Sequence, residues 1–184
     1  MKAPAPNLKG LPRPLAKRSA IDPFIVMDVM GEANAREKAG ADIIHMEMGQ
    51  PGTAAPRAAR ERAAEALARD RLGYTEALGL PRLREAIARY MSERYRVVVS
   101  PERVVVTAGS SAGFVLAFLA LLDTDDALGL PSPGYPCYRQ ILKAVGARPL
   151  LIETSGQGRW IPTVSDVERL KAEGAAGLLL GEPQ

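Results

Sequence analysis

The second half of the chain alternates between short apolar runs and longer apolar or amphipathic segments. The short runs are rich in valine, leucine and isoleucine and predict strands at 104–106, 127–130, 148–152 and 175–180. The longer segments predict helices at 114–122, 138–145 and 165–172. Strands that alternate with helices in this way indicate an α/β fold: a mostly parallel sheet with right-handed crossovers and helices on its faces.

The first half carries helical patterns separated by loops rich in glycine and proline. Asp22 followed by Pro23 is typical of a helix cap and first turn, and the pattern predicts a helix from there to Gly40. Apolar spacing and alanine-rich composition predict the next elements, a strand at 41–48 and helices at 56–70 and 81–95.

The segment 104–114 is typical of a strand, a tight turn and the start of a helix. Gly109 permits a positive φ at the turn, and Ser110 and Ser111 follow where the helix begins. Free N–H groups at a helix N-terminus carry the positive end of the helix dipole, and the two hydroxyls add donors. The segment therefore predicts an anion site, best suited to a phosphate.

Two other interpretations of this turn stay open. Residues 109–113 match G-x-S-x-G, which would make Ser111 the nucleophile of a serine hydrolase. That fold takes its histidine after the serine, whereas the one histidine, His45, lies upstream, so the triad cannot be completed on this chain. Alternatively, Ser110 and Ser111 only cap the helix, or form a phosphate site without catalysis.

Composition narrows the class of protein. The 184 residues are 47% hydrophobic and 24% charged, which is typical of one globular domain, and no apolar run is long enough to cross a bilayer. One cysteine, Cys137, and no recognisable signal peptide favour a reducing cytoplasm. We predict no metal site and no nucleic-acid or membrane partner.

The basic pI of about 9.2 is an effect of the N-terminus. The first 19 residues hold five basic and no acidic side chains, and the remainder holds 19 basic and 21 acidic ones. Four prolines in the same stretch prevent a regular helix. We predict an extended basic arm over residues 1–19.

Four motifs, in this order, resemble the pyridoxal-phosphate-dependent aminotransferases of class I/II, fold type I, over about residues 21–184. They are Met-Gly-Gln-Pro at 48–51, Gly-Tyr-Thr at 73–75 with Gly79 and the helix around Leu83-Arg84, Thr-Ala-Gly-Ser-Ser-Ala at 107–112, and Pro-Ser-Pro-Gly-Tyr-Pro at 131–136. The resemblance implies a three-layer α/β sandwich, the incomplete large domain of that fold. It divides the chain into an arm (1–19), a small-domain region with a helix, a strand and a substrate-side loop (20–55), and a cofactor-binding domain (56–184).

The resemblance also assigns roles to individual residues. Ser110, Ser111 and the Ala112 N–H would hold the phosphate of pyridoxal phosphate, and Tyr135 would stack on its ring. Tyr74 would reach the phosphate in the other subunit of a homodimer. The substrate carboxylate would lie beside Gly49, where a side chain would crowd it.

Part of the family's machinery is missing from the chain. The Schiff-base lysine, an aspartate and a substrate-binding arginine are expected beyond Gln184, and Lys143 and Lys171 fit no such motif. Ala112 also departs from the polar residue that is frequent there. We therefore expect an N-terminal fragment, inactive alone, of an enzyme of amino acid metabolism that transfers an amino group between an amino acid and a 2-oxo acid.

Overall fold

The computed structural model describes residues 16–181, which form six α-helices, three strands and two short 3-10 turns. The α-helices are α1 (Ile25–Lys38), α2 (Arg57–Arg69), α3 (Pro81–Tyr95), α4 (Gly109–Leu121), α5 (Pro136–Val145) and α6 (Val164–Ala172). The strands are β1 (Ala127–Ser132), β2 (Arg148–Glu153) and β3 (Ala175–Leu178), and the 3-10 turns are Lys17–Ser19 and Pro101–Arg103.

The three strands form one parallel sheet in the order β2-β1-β3. Parallel neighbours need a crossover, and α5 and α6 supply the two crossovers in chain order. Leu130 of β1 lies opposite Leu151 of β2, and Gly129 lies opposite Leu178 of β3. The predicted parallel α/β fold is confirmed.

Helices cover both faces of this sheet. Phe118 of α4 and Leu142 of α5 are buried with Leu130 and Ala147 in one apolar cluster. On the other face, a Cβ at Gly129 would collide with the Leu170 side chain of α6. Alternate residues of β1 therefore contact different helices, as the period of a strand requires, and the arrangement has three layers.

The chain divides into two compact units, one comprising residues up to Glu47 and from Gly109 onward, the other residues 48–108. The predicted division at residues 19 and 55 stays a prediction. Residues 1–15 of the expected basic arm lie outside the described residues. Within the second unit, Leu78 and Val106 are joined by a backbone hydrogen bond of 3.0 Å from the Val106 N–H to the Leu78 carbonyl.

Two predicted strands are wrong. Residues 104–106 and 41–48 form no β-ladder in the described part of the chain. A strand needs a neighbour to accept and donate its backbone hydrogen bonds, and β-branched composition does not supply one. The other strands are confirmed with small shifts: β1 extends to Ser132, and β3 ends at Leu178.

The start of α1 also differs from the prediction. The helix begins at Ile25, with Phe24 rather than Asp22 at its N-cap and no side-chain cap. The Asp22 carboxylate instead accepts hydrogen bonds from Lys143 Nζ at 3.2 Å and Gln140 Nε2 at 3.4 Å, both on α5. Because of these contacts, with Lys143 contributing most, the pKa of Asp22 is lowered.

Across residues 16–181, none of the helices is both long and apolar enough to span a membrane.

Candidate functional site

The serine turn lies in the first turn of α4. Gly109 begins the helix with φ +81°, a conformation that glycine adopts at little cost. Ser110 and Ser111 follow and are exposed, while Ala112 is half-buried. Among residues 16–181 neither serine hydroxyl has a hydrogen-bond partner. The first turn of the helix therefore presents two hydroxyls to solvent.

The rest of α4 anchors this turn. The helix is apolar on all sides from Phe114 to Leu121, and Phe118 is 4% exposed within the core. The centroid of the Phe114 ring lies 4.6 Å from that of the Tyr138 ring of α5 and 5.8 Å from that of the Phe118 ring. These contacts fix the axis of α4 relative to the sheet.

Tyr135 lies in the loop between β1 and α5 and is the N-cap residue of α5. Its ring is edge-on to Tyr138, with 5.3 Å between centroids, and edge-on to Phe24 at 6.1 Å. The residue is 49% exposed, so part of its surface is open to a ligand. The pKa of Tyr135 is raised, mainly by a hydrogen bond with the Cys137 thiol and to a smaller extent by burial. The phenol is therefore neutral at physiological pH.

The loop that carries Tyr135 starts from a fixed point at the end of β1. The Ser132 carbonyl accepts hydrogen bonds from the Thr154 N–H at 2.8 Å and the Thr154 hydroxyl at 2.9 Å. Two residues further on, a Cβ at Gly134 would lie 2.6 Å from the Pro131 carbonyl oxygen, so this tight turn requires glycine. Tyr135 thus leaves the carboxyl end of a parallel strand, where α/β sheets bind ligands.

Gly49 and Tyr74 both lie in the second unit. A Cβ at Gly49 would meet no atom of the described residues within 4 Å, so the space around it does not by itself require glycine. Tyr74 is fully exposed. Ser110, Ser111, Ala112 and Tyr135 lie in the other unit, and the roles of all six residues stay predictions.

His45 is held by carboxylates. Its Nδ1 lies 2.7 Å from Glu47 Oε1, and its Nε2 lies 3.6 Å from Glu37 Oε2. The hydrogen bond that His45 Nδ1 donates to the Glu47 carboxylate raises the pKa of His45, and the same hydrogen bond lowers the pKa of Glu47. Both ring nitrogens face carboxylates, so in the described chain this ring makes no hydrogen bond to Ser111.

The cleft between α1 and the start of α5 has a volume of about 1350 Å³ and is lined mainly by apolar side chains. Neither Ser110 nor Tyr135 lines it. Arg139 Nε and Gln140 Oε1, on side chains at its edge, have no partner in the described residues. Since the hydroxyls and helix N–H groups that suit an anion lie elsewhere, we place the candidate site at the serine turn.

A family model described as "Aminotransferase class I and II" matches residues 41–184. The chain belongs to this family. It is 46% identical over 149 residues to the valine–pyruvate aminotransferase of Mycobacterium tuberculosis, covering 81% of this chain and 38% of that relative. The resemblance inferred from the four motifs is confirmed.

Solved structures of aminotransferases share the fold. An aminotransferase from Mycobacterium tuberculosis is 44% identical with a TM-score of 0.81, covering 85% of this chain and 40% of that one. Aspartate aminotransferase from Thermus thermophilus with maleate is 27% identical with a TM-score of 0.88, covering 94% and 45%. The chain spans about two fifths of the length of these relatives.

The sequence patterns did not predict the aromatic contacts around Tyr135 and Phe114 or the contact of Asp22 with α5. Phe114 and Phe118 have helical i, i+4 spacing, which indicates one face of a helix but not which ring meets it. Phe24 and Tyr135 are more than a hundred residues apart, and no local pattern connects them.

Proposed function

We propose that this chain is the cofactor-binding part of a pyridoxal-phosphate-dependent aminotransferase that transfers an amino group between an amino acid and a 2-oxo acid. The observation that carries the proposal is the N-terminus of α4, where Ser110 and Ser111 are exposed and unpartnered in the described chain, in the same unit as Tyr135. Family membership supports the same chemistry. A phosphate fits this turn because it accepts hydrogen bonds from both hydroxyls and from helix N–H groups.

Each of these residues has a definite task in the proposal. Ser110, Ser111 and the Ala112 N–H bind the phosphate, and the end of the α4 dipole favours its negative charge. Tyr135 orients the cofactor ring with its exposed face, which costs little entropy because Phe24 and Tyr138 already restrict the side chain. When bound, pyridoxal phosphate supplies an electron sink for the α-carbon of an amino acid.

Tyr74 and Gly49 complete the proposed site. Tyr74 is fully exposed within its own chain, which suits a side chain that binds the phosphate in a second subunit. We therefore propose a homodimer. Gly49 lies beside the substrate carboxylate in this proposal, and the absence of nearby atoms of its own unit leaves that space to a substrate.

The base and the substrate-binding groups are proposed to lie outside these 184 residues. The resemblance places the lysine, the aspartate and the arginine after Gln184, and the 184 residues cover about 40% of the relatives. We propose that the chain binds cofactor phosphate but moves no amino group without those residues, and that the protein acts in the cytoplasm.

A serine hydrolase is the second candidate, favoured only by the G-x-S-x-G match at Ser111. The pairing of His45 with Glu47 and Glu37 opposes it, because the ring is not available as a base for Ser111. A fluorophosphonate probe separates the two: labelling of Ser111 would favour a hydrolase, and the aminotransferase proposal predicts none.

The proposal is tested with the protein encoded by the whole reading frame, beginning with the coding sequence after Gln184. We expect a downstream lysine and a purified protein that absorbs as a pyridoxal form, converts to the pyridoxamine form with an amino acid, and yields the matching 2-oxo acid by mass spectrometry. No amino transfer from any of the common amino acids would contradict the proposal.

A further inference from the structure

Arg84 is a nearly buried arginine that joins three separate segments of the second unit. Its side chain is 13% exposed on α3. One terminal nitrogen lies 3.4 Å from Glu76 Oε2, in the loop that follows Tyr74, and the other donates to the Pro101 carbonyl at 3.5 Å. A planar guanidinium can hold two acceptors at once, which a lysine cannot do in the same geometry.

The same loop is attached a second time, to the segment that leads into the serine turn. The Gly79 N–H donates to the Glu76 carbonyl at 2.9 Å and closes a turn with φ +100° at Gly79. A Cβ at Gly79 would lie 2.7 Å from the Val106 Cβ, and the Val106 N–H donates to the Leu78 carbonyl. Val106 precedes Ser110 by four residues along the chain.

Tyr74 lies in the same loop, two residues before Glu76. Its ring is fully exposed, so packing within the chain does not orient it. Glu76, two residues later, contacts the Arg84 side chain of α3.

We propose that Arg84 is a positioning residue for the phosphate site: it holds the Tyr74 loop against the chain segment that leads into the Ser110–Ser111 turn. The inference rests on the function proposed above and adds a residue that does not itself contact the cofactor. Loss of the Arg84 contact weakens cofactor binding through Tyr74, and it does so without removing any phosphate ligand.

The test measures the dissociation constant of pyridoxamine 5′-phosphate for the protein encoded by the whole reading frame, together with its urea unfolding midpoint. Arg84→Met keeps the aliphatic stem and removes the guanidinium. Arg89→Met is the matched control, since Arg89 is exposed on the same helix and forms no ion pair in the described chain. Glu76→Gln removes the charge of the partner while leaving the nearly buried guanidinium in place.

We expect Arg84→Met to raise the dissociation constant about five-fold, the size of one partly exposed charge-assisted hydrogen bond, and Arg89→Met to leave it within about two-fold. Glu76→Gln should raise it about two-fold, which keeps the inference testable if Arg84→Met fails to fold. In a Tyr74→Phe background the effect of Arg84→Met should disappear, because both changes act through one contact.

Two results would overturn the inference. One is Arg84→Met binding as tightly as Arg89→Met. The other is a double variant whose dissociation constant rises by the product of the two single-variant factors. The two changes would then act independently, and Arg84 would have only a general structural role. If Tyr74→Phe and Ser110→Ala both leave the affinity unchanged, the proposed function itself fails, and the inference fails with it.

Discussion

The ring centroids of Phe114 and Tyr138 lie 4.6 Å apart, and the ring planes meet at 61°. This contact joins α4 to α5. Phe114 is four residues from Ser110, and Tyr138 is three residues from Tyr135. Each ring is thus one helical turn from a proposed cofactor ligand. This aromatic contact joins the helix that begins with the proposed phosphate-binding turn to the helix that follows the proposed stacking tyrosine.

Replacing Tyr138 should loosen Tyr135 as well as the core. We expect Tyr138→Leu to lower the free energy of unfolding by about 1–2 kcal/mol, because two aromatic contacts are lost, and to change the NMR signals of the Tyr135 ring. Tyr138→Phe keeps both ring contacts and should stay within about 0.5 kcal/mol of wild type. Unchanged Tyr135 signals in Tyr138→Leu would show that the contact does not position this ring.

Gly79→Ala should be far more destabilising than a change at a comparable glycine. It combines a strained φ of +100° with a Cβ 2.7 Å from Val106, and we expect a loss of about 3 kcal/mol in urea unfolding. Gly40 has φ +95° with no atom within 4 Å of an added Cβ in the described residues, so Gly40→Ala should cost only about 1 kcal/mol of strain. Equal losses at the two positions would contradict the close contact between Gly79 and Val106.

His45 should titrate above its ordinary value of 6.5. The hydrogen bond that its Nδ1 donates to the Glu47 carboxylate raises its pKa. The pair therefore stabilises the fold when the imidazole is protonated, and this stabilisation is lost as the pH rises through the raised pKa. Glu47, whose pKa lies below its ordinary 4.5, contributes above that pH and loses its contribution as the pH falls through its folded pKa.

NMR checks this directly, because His45 is the only histidine in the sequence. We expect a titration midpoint above 6.5 that moves down in Glu47→Gln, and Glu37→Gln should move it less, since Glu37 is the more distant carboxylate. A midpoint at or below 6.5 in the wild-type protein would contradict the pairing.

Local sequence signals predicted most of the helices to within a few residues. Pro81 marks the start of α3, and Gly146, with φ +90°, ends α5 as its C-cap. These are properties of a few neighbouring residues. The strands at 104–106 and 41–48 were wrong for the opposite reason, since a ladder depends on a partner that the local pattern does not contain.

The candidate site was predictable only in part. The glycine and two serines before an apolar helix indicated an anion site, and Ser110 and Ser111 do lie at the start of α4. The aromatic packing of Tyr135 against Phe24 and Tyr138 was not predictable, because it depends on the crossing of α5 with segments distant in sequence. The same holds for the carboxylates around His45 and for Arg84.

The most direct test of the phosphate site compares pyridoxamine 5′-phosphate with pyridoxamine, using the protein encoded by the whole reading frame. The wild-type protein should prefer the phosphorylated form, and Ser110→Ala combined with Ser111→Ala should reduce that preference about a hundred-fold, as two hydrogen bonds to a charged group are lost. Ser165→Ala, on α6, is the matched control and should leave the preference unchanged. A double variant that still discriminates as well as wild type would contradict the assignment of the phosphate to the N-terminus of α4.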